Sequence, residues 1–439
     1  MKEILFSLLL LISLLTGCAV RSPKESAQRE APASEAASPA LSDQAATGEA
    51  AKQDELYLLT AQQGIVMTVG GETQDGCYSL DPYPDGTADL IYYDYQTQQC
   101  VQLSSDANLK HDPASSAYFP SFKGGARCLV SGKNLYILKS GQPYIDASVA
   151  GNDPVARLYC MTLNGADRTV TEYGSNVVFQ WDACVAGDAE GMLYTVLTVV
   201  DPETAQISYV LAKLGKGMPT CETIAAWDAR ATVALAGVCK DGFLISKKYA
   251  TPTKAETQLQ IYRKDGAPGQ TILEWEANSV TGFTLFDNVL YYTQRDDPLL
   301  YAKPVQAPSD IFTIDPSGFT DFKPEAVYLR DEVRDRHLMF QVIGENDQQA
   351  YAAVDLASKT IFPLQLYAGK GEDRTFVGIF AEGQEDFLVR VGKFTRNRTD
   401  YGPDGTPYTY EQGFEDYVLI SKEDYWNSKP HYRRFDFYE

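Results

Sequence analysis

Only three histidines occur in the 439 residues, His111, His337 and His431, and none stands in the HExxH spacing that sets two imidazoles on one helical face around zinc. No GxSxG elbow presents a serine, no GxGxxG opens a helix, and no phosphate-cradling P-loop occurs. The familiar zinc, nucleotide and serine-hydrolase chemistries have no motif here, and neither a metal nor a cofactor is expected. Acidic chemistry is better supplied, with 59 Asp and Glu residues. The densest group, Asp81, Asp85 and Asp89 in DPYPDGTAD, offers oxygen ligands to calcium but lacks the EF-hand spacing. Its Asp85-Gly86 reads more simply as a hairpin turn, because both residues tolerate positive φ. A carboxylate pair that cleaves glycosidic bonds also fits such a composition.

Binding chemistry has its own candidates in three aromatic-rich excursions. Residues 394–414 carry Arg396, Arg398, Tyr401, Tyr408 and Tyr410; residues 141–153 carry Tyr144 and Asp146; residues 106–125 carry His111, Tyr118 and Phe119. Tyrosine offers apolar area with a polar tip at low entropy cost, and with nearby Arg and Asp it suits sugars, peptides or protein surfaces. Cysteine chemistry is weakly indicated. Apart from Cys18, seven cysteines stand at 77, 100, 128, 160, 184, 221 and 239. No CxxC motif joins them, so buried thiols are expected, with a disulfide or two as the alternative in an oxidising compartment.

The elements that must position these side chains are short strands. Five Asp-Gly pairs begin at Asp75, Asp85, Asp241, Asp265 and Asp404, and Asn164-Gly165 adds another tight-turn signal. An apolar or aromatic pair opens a strand at Cys77-Tyr78, Leu135-Tyr136, Leu193-Tyr194, Phe243-Leu244, Leu290-Tyr291, Leu338-Met339 and Phe387-Leu388. The first positions are 58, 58, 50, 47, 48 and 49 residues apart, which is the length of a four-stranded propeller blade. The second unit fills out as ARCLVSG, NLYILKS, VARLYCMTL and DRTVTEY, the fourth as TVALAGVC, GFLISKK, TQLQIYRK and QTILEWE. The chain after Asp54 therefore resembles the β-propeller architecture, without the signature of a particular propeller family. Seven four-stranded blades are expected, with six blades or two packed β-sandwiches as alternatives. Residues 55–60 read as a strand of the first blade or of its neighbour. Ring closure would make blades seven, one and two consecutive and crowd the three excursions onto one sector.

The N-terminal residues read as an address. Lys2 precedes an apolar run from Ile4 to Leu15, shorter than the roughly 20 residues of a membrane-spanning helix. It ends in Leu15, Thr16, Gly17 and Cys18, which resembles the lipobox of bacterial lipoproteins. The resemblance implies cleavage after Gly17 and lipidation of Cys18. Residues 1–17 are then a signal peptide, 18–53 a lipidated cysteine with an Ala/Ser/Glu/Pro tether, and 54–439 the propeller. The tether holds no aromatic residue, so it cannot build a core.

With 38 Lys and Arg against 59 Asp and Glu, the net charge of −21 repels phosphate backbones and excludes nucleic acid as a partner class. The expected function is that of an extracytoplasmic lipoprotein, held to the cell membrane by its lipid, whose propeller binds an envelope protein or a glycan without catalysis. A lipid-anchored carbohydrate-active enzyme using Asp or Glu is the alternative.

Overall fold

The computed structural model describes residues 55–437, apart from 61–68, 84–85, 105–110, 121–125, 145–147, 149–152, 181–182, 252–253, 277–278, 331–332, 372–373 and 402–405. Cys18, the tether and Asp146 lie outside the described residues. Among these residues the chain makes seven antiparallel sheets of at least four strands, each a meander whose main strands follow one another in sequence. The second strands are Gly76–Pro82, Asn134–Lys139, Leu193–Val200, Gly242–Ala250, Val289–Gln294, His337–Gly344 and Asp386–Tyr401. Every one carries a repeated pair.

The pairs recur because successive strand residues point to opposite faces of a sheet. Leu135 enters the core shared with sheet one and Tyr136 the core shared with sheet three. Phe243 and Leu244 divide in the same way between sheets three and five. The rule holds for Leu193-Tyr194, Leu290-Tyr291 and Leu338-Met339 as well. At Phe387-Leu388 it returns to the start, since Leu388 packs with Cys77, Ile91 and Tyr93 of sheet one. Each sheet thus buries both faces against its two neighbours, and fully burying a Leu or Phe contributes about 1.5–3 kcal/mol. The fold is all-β and a β-propeller. Two sandwiches, the rival expectation, would give large paired sheets instead of seven small ones.

Two strands at the ends of the described chain are added to sheets built elsewhere. Tyr57–Thr60 pairs with Val185–Gly187, the first strand of sheet three, and not with sheet one or its neighbour. Leu56 and Leu58 pack into the core between sheets three and four, and Tyr57 donates its hydroxyl to the Asp188 carbonyl at 3.1 Å. At the other end, Asp436–Phe437 adds in parallel to Gln99–Cys100 of sheet one. Phe435 and Phe437 fill the core between sheets seven and one, so the chain's last described residues bind its first sheet. The seven described cysteines are free thiols, six of them buried and Cys221 half-buried.

Candidate functional site

The hairpin of Gly76–Pro82 and Ala88–Asp94 sets Asp81 directly opposite Asp89. Directly opposed residues share a face, and the neighbours Cys77, Ile91 and Tyr93 show that this face is the one toward sheet seven. Both carboxylates are buried, at 7% and 1% exposure. Two adjacent buried carboxylates are unfavourable unless each is separately compensated. Two other segments supply the compensation.

The first is the connection out of sheet one. Tyr118–Phe119 pairs back onto Ala88 and Asp89, which returns the chain over the tip of the hairpin. His111 arrives there with φ of 48°, a left-handed conformation that is uncommon outside glycine and is often found at functional sites. Its Nε2 lies 2.9 Å from Thr87 Oγ1, and its Nδ1 lies 3.2 Å from Asp89 Oδ1. Neither Nδ1 nor Oδ1 has an aligned hydrogen bond, so a small rotation of the imidazole would complete the contact. Tyr83 donates its hydroxyl to Asp89 Oδ2 at 3.0 Å and stacks on His111 with ring centres 3.4 Å apart. The tip that carries Tyr83 and Thr87 is closed by Tyr83 N–H donating to the Thr87 carbonyl, with Gly86 at φ of 90°. Gly86 thus belongs to a turn, Asp85 lies outside the described residues, and Asp81 and Asp89 are committed to protein cations and donors. Burial, reinforced by Asp89, pushes the Tyr83 phenol far above its usual range, so it stays a donor.

The second segment comes from sheet seven. Of residues 394–414, expected to form a loop, 394–401 and 407–414 instead prolong the ladder: Asp386–Tyr401 and Pro407–Ser421 pair past the sheet, with one register shift between Arg390 and Gly392. The physical reason is an alternation that runs through FTRNRTDY and PYTYEQGF, in which Phe394, Thr395, Thr399, Tyr408, Thr409, Tyr410 and Phe414 favour strand. Phe394, Arg396 and Arg398 alternate along one face. Arg398 forms an ion pair with Asp81 and lies 4.2 Å over the Tyr83 ring and 4.9 Å over Phe414. Arg396 lies 3.9 Å over Phe437, and Gln412 donates to the Pro82 carbonyl at 2.7 Å.

The binding residues expected from sequence separate accordingly. Arg396, Arg398 and Tyr118 meet at the junction of sheets seven and one, with ring centres of Tyr118 and His111 5.3 Å apart. Tyr408 and Tyr410 stand farther along the hairpin, 5.9 Å apart, Tyr408 being 50% exposed. Phe119 is no ligand contact: it has no exposed surface and packs edge-on against Tyr159 under the Arg168 guanidinium. Tyr144 stands in sheet two's excursion, 67% exposed. Tyr401 pairs with Pro407 through its backbone, and its side chain lies outside the described residues. Missed in the sequence were Thr87, Tyr83 and the use of Asp89 and His111. The available signal was the near-symmetry of Asp81 and Asp89 about one turn.

Taken together, Thr87, His111 and Asp89 stand in the order of a hydroxyl nucleophile, a base and a base-orienting carboxylate. His111 can accept the Thr87 proton at Nε2 while Asp89 stabilises the cation that results.

No known protein family and no characterised protein matches the sequence. Solved structures resemble the fold. A puromycin hydrolase is 12% identical with a TM-score of 0.39, over 82% of this chain and 59% of that one. A puromycin-hydrolyzing peptidase from Mycobacterium tuberculosis gives 12% identity and 0.48, over 83% and 52%. The β-propeller domain of the Trilobed protease from Pyrococcus furiosus gives 7% and 0.39, over 80% and 97%. The chain spans little more than half the length of the two puromycin-cleaving enzymes. An oligogalacturonate lyase gives 11% and 0.40, over 84% and 91%. These neighbours are enzymes or parts of enzymes, so the expectation of a non-enzymatic binding propeller is not borne out. Asp81 and Asp89 serve Arg398 and His111.

Proposed function

We propose that this propeller is a hydrolase of acyl bonds, of the ester or amide class, acting at the junction of sheets seven and one. The observation that carries this reading is the Thr87 Oγ1 to His111 Nε2 approach of 2.9 Å, with Asp89 Oδ1 3.2 Å behind Nδ1. In the first step Thr87 Oγ attacks the substrate carbonyl and His111 Nε2 takes its proton. The tetrahedral adduct then collapses, His111 returns the proton to the leaving group, and the acyl group stays on Thr87. Water, deprotonated by His111, releases the acid and regenerates the hydroxyl. Asp89 keeps the imidazole oriented and stabilises it when charged. Thr87 is only 7% exposed, so a substrate carbonyl reaches it only when the described neighbours Tyr83 and His111 move aside.

The test is hydrolysis of a panel of nitrophenyl acyl esters and aminoacyl anilides. Thr87→Ala, His111→Gln and Asp89→Asn should each lower kcat by about 100-fold or more, while Thr87→Ser retains turnover. Intact-mass analysis after a β-lactone probe should place the acyl group on Thr87. Full activity in Thr87→Ala would dismiss the nucleophile.

For the setting of this activity we propose what the N-terminal residues indicate, with each of the seven sheets read as one blade. Cys18 carries the lipid, residues 18–53 form the tether, and the propeller works on the outer side of the cell membrane.

A further inference from the structure

At the tip of sheet one's hairpin, Tyr83 touches both His111 and Asp89. Tyr83 stacks on the imidazole at 3.4 Å with ring planes 17° apart, and its hydroxyl donates to Asp89 Oδ2 at 3.0 Å. The groups around His111 are Asp89 and Thr87 from the hairpin and Tyr118 from the connection. Arg398 and Asp81 stand one layer away, on Tyr83. We infer that Tyr83 is a positioning residue: it fixes the plane of the His111 ring and takes part of the Asp89 charge away from the oxygen that faces Nδ1.

The consequence for protonation follows from the chemistry of a carboxylate. A donor on Oδ2 withdraws charge from the whole group, so Oδ1 holds an imidazolium less strongly. Without that donor, more negative charge faces Nδ1 and the charged imidazole is favoured. The stack acts separately, by holding the ring where Nε2 meets Thr87. The catalytic use of this control rests on the hydrolase reading, whereas the control itself does not.

The experiment is an NMR titration of the imidazole carbon-bound protons in the full chain, with the His111 resonance assigned by its loss in His111→Gln. Tyr83→Phe, which keeps the ring and removes the hydroxyl, should raise the His111 midpoint by about half a pH unit. Tyr83→Leu should also split or broaden the resonance, because the ring is no longer held. His337 and His431 must titrate as before in both variants, which shows that the fold is intact. In the ester assay, Tyr83→Phe should move the acid limb of the kcat profile by the same amount with KM little changed. A His111 midpoint in Tyr83→Phe within about 0.1 unit of the parent, with the other two histidines unchanged, overturns the inference. A raised midpoint in a protein that hydrolyses nothing would sustain the positioning role and remove only the hydrolase.

Discussion

Lys139 shows how a residue of ordinary appearance in the sequence becomes exceptional in the fold. Its side chain has no exposed surface, yet Nζ donates to the carbonyls of Asp153 and Val155 at 2.8 Å each and stands 3.2 Å from the Asp153 carboxylate. Arg157 grips Asp153 as well and reaches Glu172 at 2.8 Å. Burial draws the Lys139 ammonium below its usual value in spite of Asp153. Burial also pushes the Asp153 carboxyl up, but Arg157 and Lys139 together outweigh it and hold the group below the ordinary aspartate value. A carboxyl depressed on folding contributes stability that is fully present above the unfolded value of about 3.9 and is lost as pH falls through the folded value. Asp153→Asn should therefore flatten the acid limb of stability below about pH 4. At neutral pH it should cost about 1–3 kcal/mol, because Lys139 loses its anion. Urea unfolding across a pH series checks both, and an unchanged acid limb would assign the acid sensitivity to other carboxylates. In the sequence, Leu135, Ile137 and Lys139 share one strand parity, so the inward direction of Lys139 was legible. Its partners were not, since they depend on where an irregular excursion ends. The same holds for His111 and Thr87, which are 24 residues apart and meet only because Tyr118–Phe119 turns back onto Ala88 and Asp89.

Elements were more legible than contacts. The strands of sheets two and four lie where the alternation placed them, because each sheet is buried on both faces and the repeated pair supplies one residue to each. What misled was the excursion of sheet seven: a hairpin that continues beyond the sheet has the length of a loop and the alternation of a strand, and the alternation decides. This hairpin is tied to sheet one by Arg398, whose partner Asp81 is 317 residues away in the chain. The pair is nearly buried, with side-chain exposures of 16% and 7%. Removing one partner of such a pair strands a charge at low dielectric, which typically costs about 3–5 kcal/mol, whereas removing both is far milder. Arg398→Met should accordingly destabilise the protein by about 3 kcal/mol, and Asp81→Asn in the same chain should recover most of that loss. A double-mutant cycle in urea measures the coupling. Strict additivity would mean that the hairpin rests on sheet one through its other contacts, such as Arg396 on Phe437 and Gln412 on the Pro82 carbonyl.

At the scale of the whole molecule, the repeat near 50 residues made the architecture legible, but the two ends of the fold could not be read. Tyr57–Thr60 and Asp436–Phe437 are too short to carry a register of their own, and each finds its place on a sheet built by other residues. Residues 18–53 have the composition of a solvated chain, with a root-mean-square reach of about 30–35 Å if they behave as a flexible coil. Such a spacer serves a propeller only if its other end is held. One acyl chain binds a bilayer marginally, while two or more, at about 0.8 kcal/mol per buried methylene, hold it stably. Cys18→Ala should therefore move the protein from the detergent-requiring membrane fraction to the carbonate-washable or released fraction. The mass of the parent protein should correspond to a chain beginning at Cys18 with added lipid. The variant's hydrolytic activity should be unchanged, since Cys18 is no part of the proposed machinery at Thr87, His111 and Asp89. A parent protein that is released without detergent, or whose mass shows no lipid, would locate the hydrolase reaction away from the membrane surface and leave the tether without that role.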